Sequence, residues 1–144
     1  MAAVRRTPLM VAIWRLHRTA FRLSGGRLGA RINGMPVLLL TTRGRKSGRP
    51  KSVALQYVPE GAGYAVIASY AGEDRDPAWW RNLKVHPEAE VLIGGKTERI
   101  RAREIEGPDR ERLWRKAAAL YPGYDEYPKW TARRIPVVLL EPIA

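Results

Sequence analysis

The sequence predicts a mainly β protein with helical additions, arranged as a small barrel of about six antiparallel strands. Two observations support this fold class. Short apolar runs alternate with turn residues along most of the chain, and helix signals are confined to the first residues, one central stretch and one crossover. The 144 residues suit a single domain with one hydrophobic core.

Six stretches carry the strand signal. They are residues 37–42, 52–58, 64–70, 90–93, 98–104 and 135–140. The first three follow one another through short turns, which suggests an antiparallel meander. Gly94 and Gly95 separate the fourth stretch from the fifth, so we expect these two strands to form a hairpin.

Three helices are expected around these strands. Residues 8–23 place Leu9, Ile13 and Leu16 on one face and arginines on another, which is typical of a basic amphipathic helix. This helix packs on its own domain or lies on an anionic membrane surface. Pro77 opens a short central helix that ends before Pro87, and a third helix runs from about residue 108 to about residue 122.

The charge is concentrated in the first third of the chain. The net charge is +12, and residues 1–51 contain twelve Lys or Arg and no Asp or Glu, whereas residues 52–144 contain fourteen of each (12 − 0 = 12; 14 − 14 = 0). Such asymmetry indicates an anionic partner, which is a phosphate ligand, a nucleic acid or a membrane surface. We divide the chain into residues 1–32, a basic helix and its connection, and residues 33–144, the barrel.

Thiol and metal chemistry have little support in the sequence. Cysteine is absent, and His17 and His86 are far apart with no metal-ligand spacing, so we expect no metal site. Ser69 ends the third predicted strand, where its hydroxyl could reach a ligand carbonyl, but no nearby His or Asp suggests a triad. Arginines interrupt the apolar stretch near the N-terminus, and we place the protein in the cytoplasm.

The most distinctive local feature is a basic turn between the first two predicted strands, residues 43–51. Its cations are Arg43, Arg45, Lys46, Arg49 and Lys51. We predict an anion-binding turn in which Gly44 and Gly48 bring backbone N–H groups towards a bound oxyanion. The spacing differs from that of a Walker loop. The alternative is a solvated hairpin tip whose charges keep a sheet edge soluble.

Two aromatic stretches suggest a ligand pocket. Trp79 and Trp80 are adjacent on the central helix, where neighbouring side chains diverge by about 100°. We therefore predict that both cannot point into the same core and that one faces a ligand ring. Tyr121, Tyr124 and Tyr127 recur every three residues, so they line one side of a helical segment. They form either a pocket wall or a buried seal at the barrel mouth.

Four motifs together carry a resemblance to a known family. They are Leu-Thr-Thr-Arg-Gly-Arg-Lys-Ser-Gly at 40–48, Pro-Ala-Trp-Trp-Arg-Asn-Leu at 77–83, Tyr-Pro-Gly-Tyr-Asp-Glu-Tyr at 121–127 and Arg-Ile-Pro-Val-Val at 134–138. In this order and spacing, across residues 33–142, the chain resembles the deazaflavin (F420)-dependent nitroreductase family. The resemblance implies a split β-barrel of the flavin-reductase type that binds coenzyme F420, an 8-hydroxy-5-deazaflavin with a phosphate and a polyglutamate tail, in preference to FMN.

The resemblance also implies roles for individual residues. The phosphate and tail would be held by Arg45, Lys46, Ser47 and Lys51. The deazaflavin would be enclosed by Ile67, Ala68, Ser69, Tyr70, Ala78, Trp79, Trp80, Arg81 and Asn82, with Ser52, Val53, Ala54, Leu55 and Gln56 running along it. The substrate would be bordered by Tyr121, Tyr124 and Tyr127. Protonation of the acceptor would come from Tyr127, Tyr121, Ser69 or water.

The implied function is an oxidoreductase that transfers a hydride from reduced coenzyme F420 to an electron-poor acceptor, which is a quinone, an enone or a nitroaromatic. Two alternatives stay open. One is a nucleic-acid-binding domain that stacks bases on Trp79 and Trp80, and the other is a non-catalytic carrier of lipid or cofactor. Peripheral contact with the inner face of the membrane through residues 8–23 is a further option, and the sequence does not choose between monomer and homodimer.

Overall fold

The computed structural model describes residues 8–23, 31–32, 35–69 and 75–143, and within them eight strands form an antiparallel sheet. The strands are β1 (Arg31–Ile32), β2 (Met35–Arg43), β3 (Pro50–Gln56), β4 (Val58–Glu60), β5 (Gly63–Ile67), β6 (Glu88–Ile93), β7 (Lys96–Ile105) and β8 (Val137–Pro142). Their order across the sheet is β1-β2-β6-β7-β8-β5-β4, and β3 pairs with β2.

One stretch of chain joins the two ends of this sheet. Only Tyr57 separates β3 from β4, yet β3 pairs with β2 whereas β4 pairs with β5. The sheet is therefore curled into a split β-barrel, which confirms the predicted fold class. The prediction of a single strand over residues 52–58 is wrong, because the chain leaves one partner and joins another at Tyr57.

The inner face of the curled sheet carries one hydrophobic cluster. Alternate residues of five strands contribute to it, as the period of two in a strand requires. They are Leu38, Leu40, Val66, Ala89, Val91, Ile100, Ala102, Val138 and Leu140, all buried. Helix α2 (Ala78–Val85) adds Trp79, Trp80 and Leu83 to the same cluster. We call this the inner cluster.

The outer face of β4, β5, β7 and β8 carries a second cluster, which we call the outer cluster. It is covered by helix α3 (Gly107–Leu120) and a 3₁₀ helix (Pro122–Lys129). On β5, Ala65 and Ile67 belong to the outer cluster, while Val66 and the residue after the strand, Ala68, belong to the inner one. The two clusters are therefore separated by the thickness of the sheet.

Helix α1 (Pro8–Leu23) contacts β2 and β3. Arg18 Nη1 donates to the carbonyl oxygen of Ser52 over 3.0 Å, and this contact attaches the N-terminal helix to the barrel. Leu9, Ile13 and Leu16 are exposed by 70%, 47% and 72%, so an apolar stripe of α1 faces away from the barrel.

The local predictions agree with most of these elements. The bounds of α1 and α2 match the predicted helices, and β6 and β7 form the predicted hairpin. Residues 31–32, assigned from sequence to a connection, instead pair with Met35 and Pro36 as β1. Ser24, Gly25 and Gly26, a sequence typical of a helix stop after residue 23, lie outside the described residues.

Candidate functional site

The basic turn between β2 and β3 is closed by its own hydrogen bonds. The N–H of Gly44 donates to the carbonyl oxygen of Arg49 and the N–H of Gly48 to the carbonyl oxygen of Gly44, each over 2.8 Å. The N–H of Arg49 donates to Ser47 Oγ over 3.1 Å. A Cβ placed on Gly44 would lie 2.9 Å from Ser47 Oγ, so the turn closes in this way only around a glycine.

These bonds change the role of the two glycines. The N–H groups of Gly44 and Gly48 are both bonded within the turn, so a bound oxyanion would have to be met by N–H groups of other turn residues. Within the described part of the chain, Lys46 and Ser47 are the turn residues whose N–H groups have no such partner. The Ser47 hydroxyl accepts the Arg49 N–H and still has its own proton to donate.

Asn82 connects the turn to α2. Its side-chain Oδ1 accepts both the backbone N–H and the Nη1 of Arg45, over 3.2 and 2.9 Å. Its Nδ2 donates to Thr42 Oγ1 over 3.1 Å. Asn82 is 3% exposed and Thr42 is 2% exposed, so these bonds are shielded from water. We call this set of contacts the Asn82 bridge.

The cations of the basic turn have no acidic partner among the described residues. None of the ion pairs in that part of the chain includes the cations at positions 43, 45, 46, 49 and 51. Arg45 instead contacts the neutral amide of Asn82. Positive charges held together without compensation favour binding of an anion, and this surface therefore fits a phosphate and a chain of glutamates.

An open groove of about 670 Å³ extends this cationic surface across β2, β6 and β7. Arg43, Arg99, Arg101 and His86 line it. Glu88 pairs with both Arg99 and Arg101, over 3.2 and 3.0 Å, so the charge of the groove is partly neutralised away from the turn.

Strand β3 presents its residues to two different sides. Val53 and Leu55 pack against the inner cluster, whereas Ala54 packs against Val37 and Leu39 on the outer face. The hydroxyls of Ser52 and Thr41 lie 2.9 Å apart across the β2–β3 pair. In the described part of the chain β2 is the strand that β3 pairs with, and the carbonyl oxygen of Ser52 on β3 also accepts Arg18 of α1.

Trp79 and Trp80 are both buried in the inner cluster, with exposures of 7% and 5%. Their ring centroids lie 6.5 Å apart at 62°, and Lys84 Nζ lies 5.8 Å from the Trp80 ring. The prediction that both cannot enter the same core is wrong. Because α2 has only eight residues and packs on the cluster by a broad face, side chains about 100° apart both reach it.

The remaining predicted residues of α2 differ in environment. Ala78 is exposed, and Arg81 is half-buried. The Arg81 Nε is buried with no hydrogen-bond partner among the described residues. Ile67 and Ala68, predicted on the neighbouring strand, are buried on opposite faces of β5.

The three tyrosines pack against one another in the outer cluster. The ring centroids of Tyr121 and Tyr124 lie 5.3 Å apart, and those of Tyr124 and Tyr127 lie 5.8 Å apart, both edge to face. All three side chains are buried. A Cβ on Gly123 would lie 2.5 Å from the Tyr121 ring, so a glycine is required there. The three tyrosines do lie on one side of the helical segment, as predicted. In the described part of the chain that side packs in the outer cluster, and the tryptophans are in the inner cluster.

Burial also determines the acidity of these phenols. Burial is the main cause that raises the pKa of Tyr124, and burial together with the neighbouring Tyr121 raises the pKa of Tyr127. Both phenols therefore keep their protons well above neutral pH.

Ser69 lies two residues after the end of β5. The residue is half-buried, and its carbonyl oxygen accepts Arg133 Nη2 over 2.8 Å. Arg133 also donates to Asp76, which precedes α2. Sequence reasoning missed Arg133 because no local pattern marks a side chain that binds carbonyls more than 60 residues away. Tyr70, predicted beside Ser69, lies outside the described residues.

The described residues contain neither a membrane-spanning helix nor a cluster of metal ligands. Among the described helices, none combines the length and apolar character that a membrane span requires. No group of three or more His, Asp or Glu in residues 8–23, 31–32, 35–69 and 75–143 is placed to hold a metal ion.

Comparison with known proteins identifies relatives over most of the chain. An F420H(2)-dependent quinone reductase of Mycobacterium tuberculosis is 38% identical over 134 residues, which cover 90% of each chain. A solved F420-H2 dependent reductase is 42% identical with a TM-score of 0.67, over 74% of this chain and 94% of that one. A structure described as a domain-swapped dimer is 38% identical with a TM-score of 0.70, over 90% and 98%.

The family model for F420H(2)-dependent quinone reductase matches residues 13–142, which include the basic turn, α2 and the tyrosines. That span exceeds half of the chain, and its relatives are oxidoreductases that depend on coenzyme F420. The chain therefore belongs to the F420H(2)-dependent quinone reductase family, whose cofactor is coenzyme F420.

Proposed function

We propose that this protein transfers a hydride from reduced coenzyme F420 to a quinone, with enones and nitroaromatics as further acceptors. One observation carries the proposal most directly. The uncompensated basic turn is joined through the Asn82 bridge to the helix that carries Trp79 and Trp80. The turn that would hold the anionic end of the cofactor is thereby connected to the helix that would border its ring.

The anionic end of the cofactor would be held by the turn. Arg45, Lys46 and Lys51 supply positive charge, and Ser47 supplies a hydroxyl donor. Charge-assisted hydrogen bonds of this kind are shorter and stronger than neutral ones. Arg43 and the groove beside it would then receive the glutamates of the tail.

The ring would lie between the free edge of β3 and α2. Backbone groups of Val53, Ala54 and Leu55 that do not pair with β2 would supply hydrogen bonds at that edge, and the partly buried side chains of Val53 and Leu55 would supply an apolar surface. When bound and reduced, the deazaflavin supplies a hydride from its C5, and the protein supplies orientation and electrostatics.

The acceptor side would lie near the end of β5. Reduction of a quinone to a hydroquinone requires a hydride and one additional proton. Ser69 is the half-buried member of the three predicted donors, whereas Tyr121 and Tyr127 are buried in their own cluster. We therefore assign direct contact with the acceptor to Ser69 first, with the neutral phenols or water behind it as proton sources.

The test is oxidation of reduced coenzyme F420 by a soluble naphthoquinone, with and without the protein, followed by the return of the visible absorbance of the oxidised cofactor. We expect saturable, protein-dependent oxidation, and the same assay with a nitroaromatic and an enone ranks the acceptors. Binding without acceptor-dependent oxidation would indicate a carrier. Salt-sensitive DNA binding without cofactor binding would indicate a nucleic-acid partner.

Peripheral membrane contact through α1 is a separate part of the proposal. Its support is the exposed stripe of Leu9, Ile13 and Leu16 next to arginines. Co-sedimentation with anionic vesicles should fall when Leu9 and Leu16 are both replaced by Ser. A concentration-dependent dimer that the same substitutions dissociate would instead assign the stripe to a second copy of the chain.

A further inference from the structure

Arg133 is a nearly buried arginine that binds two segments distant in sequence. Its side chain is 11% exposed. Nη1 donates to the carbonyl oxygen of Ala68 over 3.1 Å and to Asp76 Oδ1 over 2.8 Å, and Nη2 donates to the carbonyl oxygen of Ser69 over 2.8 Å. One guanidinium therefore contacts both the end of β5 and the residue that leads into α2.

Asp76 is in turn held from two sides. Its Oδ1 accepts Arg133, and its Oδ2 accepts Lys84 Nζ over 3.2 Å. Lys84 lies in the last turn of α2 and also lies over the Trp80 ring. The contacts thus connect Arg133 through one carboxylate to the helix that carries the tryptophans.

The hydrogen bonds from Arg133 to two successive carbonyl oxygens also fix the backbone just after β5. Ala68 is fully buried in the inner cluster, and Ser69 follows it at the point where the strand leaves the sheet. Charged hydrogen bonds to successive carbonyls restrict both the direction of the backbone and the place of the Ser69 side chain. A largely desolvated guanidinium holds such acceptors strongly because it retains few contacts with water.

We infer that Arg133 is a positioning residue that sets Ser69 relative to Trp79 and Trp80, and so sets the distance between acceptor and ring. The inference rests on the proposed function, in which Ser69 contacts the acceptor and α2 borders the ring. In this arrangement Arg133 acts through Ser69 and Asp76. Misplacement of reacting groups by about 1 Å can lower a rate about a hundredfold, so loss of these contacts should act on turnover more than on cofactor affinity.

The geometry also distinguishes arginine from lysine. The planar guanidinium reaches three acceptors in two directions, whereas an ammonium is a compact point charge. Arg133→Lys should keep the attraction to Asp76 and lose at least one carbonyl contact. Its effects should therefore lie between those of the wild type and of Arg133→Gln.

A matched control is available at the next residue. Arg134 is 61% exposed and pairs with Glu106 on the surface. Arg134→Gln removes the same charge one position away and leaves the contacts to β5 and Asp76 intact. Thermal unfolding of each variant is measured first, so that loss of the folded state is recognised separately.

The experiment combines kinetics with hydrogen exchange of the full-length chain. For Arg133→Gln we expect coenzyme F420 affinity within about threefold of the wild type, because the basic turn is untouched, and kcat with a naphthoquinone lowered about 10- to 100-fold. Amide exchange should rise in peptides that end at Ser69 and in peptides that begin at Asp76. Arg134→Gln should change none of these quantities.

Unchanged kcat and unchanged exchange in Arg133→Gln would overturn the inference. If that variant does not fold, Arg133→Lys and Asp76→Asn carry the same test with milder changes. A wild-type protein that binds no coenzyme F420 would contradict the proposed function, while the exchange data would still decide whether Arg133 holds the two segments. Equal losses of kcat in Arg133→Gln and Arg134→Gln would also overturn it, because they would indicate a general effect of charge.

Discussion

Replacing Asn82 by alanine tests the connection between the basic turn and α2. The substitution removes the acceptor of two Arg45 donors and the donor to Thr42. It leaves the Arg45 backbone N–H and the Thr42 hydroxyl without their present partner in a region where both Asn82 and Thr42 are almost fully buried.

The expected loss of stability follows from these three bonds. A neutral hydrogen bond contributes about 0.5–1.5 kcal/mol, and a buried group left unsatisfied costs about 1–3 kcal/mol. Allowing for relaxation and water entry, we expect Asn82→Ala to lower the free energy of unfolding by about 2–4 kcal/mol. For a chain of this length that corresponds to a fall in Tm of about 6–15 °C.

The assay is thermal and urea unfolding followed by tryptophan fluorescence, together with fluorescence titration of coenzyme F420. Affinity should fall at least about tenfold because the turn loses its attachment to α2. Asn82→Asp is the matched variant. It retains the acceptor for Arg45 and adds a negative charge, so it should be more stable than Asn82→Ala and still bind the anionic cofactor poorly.

Thr42→Val completes the comparison in a double-mutant cycle with Asn82→Ala. A coupling energy above about 0.5 kcal/mol is expected for residues in direct contact. The reasoning would be refuted if Asn82→Ala unfolded within about 0.5 kcal/mol of the wild type and bound the cofactor with unchanged affinity.

Three further predictions follow from individual contacts. Arg45→Ala combined with Lys46→Ala should weaken coenzyme F420 binding by about 1.5–3 kcal/mol per lost contact, while the barrel stays folded. Titration measures the affinity and circular dichroism the fold. Unchanged affinity would show that the turn is a solvated hairpin tip that does not bind the cofactor. Gly123→Ala should destabilise the protein by about 1–3 kcal/mol because the new methyl group overlaps the Tyr121 ring; a neutral result in urea unfolding would contradict that close approach. Because the pKa of buried Tyr124 is raised, the unfolded chain loses this proton first as the pH rises above about 10, so stability should decline from there. Tyr124→Phe should reduce that decline in urea unfolding at pH values on either side of 10, and an identical decline would refute it.

Local patterns were sufficient for the elements that local chemistry determines. Pro77 at the start of α2 and Pro87 after its end mark that helix from both sides, and glycines mark the hairpin between β6 and β7. The basic turn was also visible, because it depends on charge and glycine within one short stretch.

Partners distant in sequence could not be predicted in the same way. A period of two shows which face of a strand is buried but not what covers it, so the tyrosines and the tryptophans were predicted around one pocket, whereas the described residues place them in different clusters. The break at Tyr57 has the same origin, since the change of partner from β2 to β5 depends on curvature of the whole sheet. Asn82 and Arg133 act through contacts more than 35 residues away, for which the sequence carries no local signal.

The central claim is that the basic turn and α2 form a site for a deazaflavin with an anionic tail. The most direct measurement is a parallel fluorescence titration of the wild-type protein with coenzyme F420 and with FMN at two salt concentrations. We predict tighter binding of coenzyme F420 than of FMN, and an affinity that falls as salt screens the turn. Binding of neither cofactor, or tighter binding of FMN, would contradict the account.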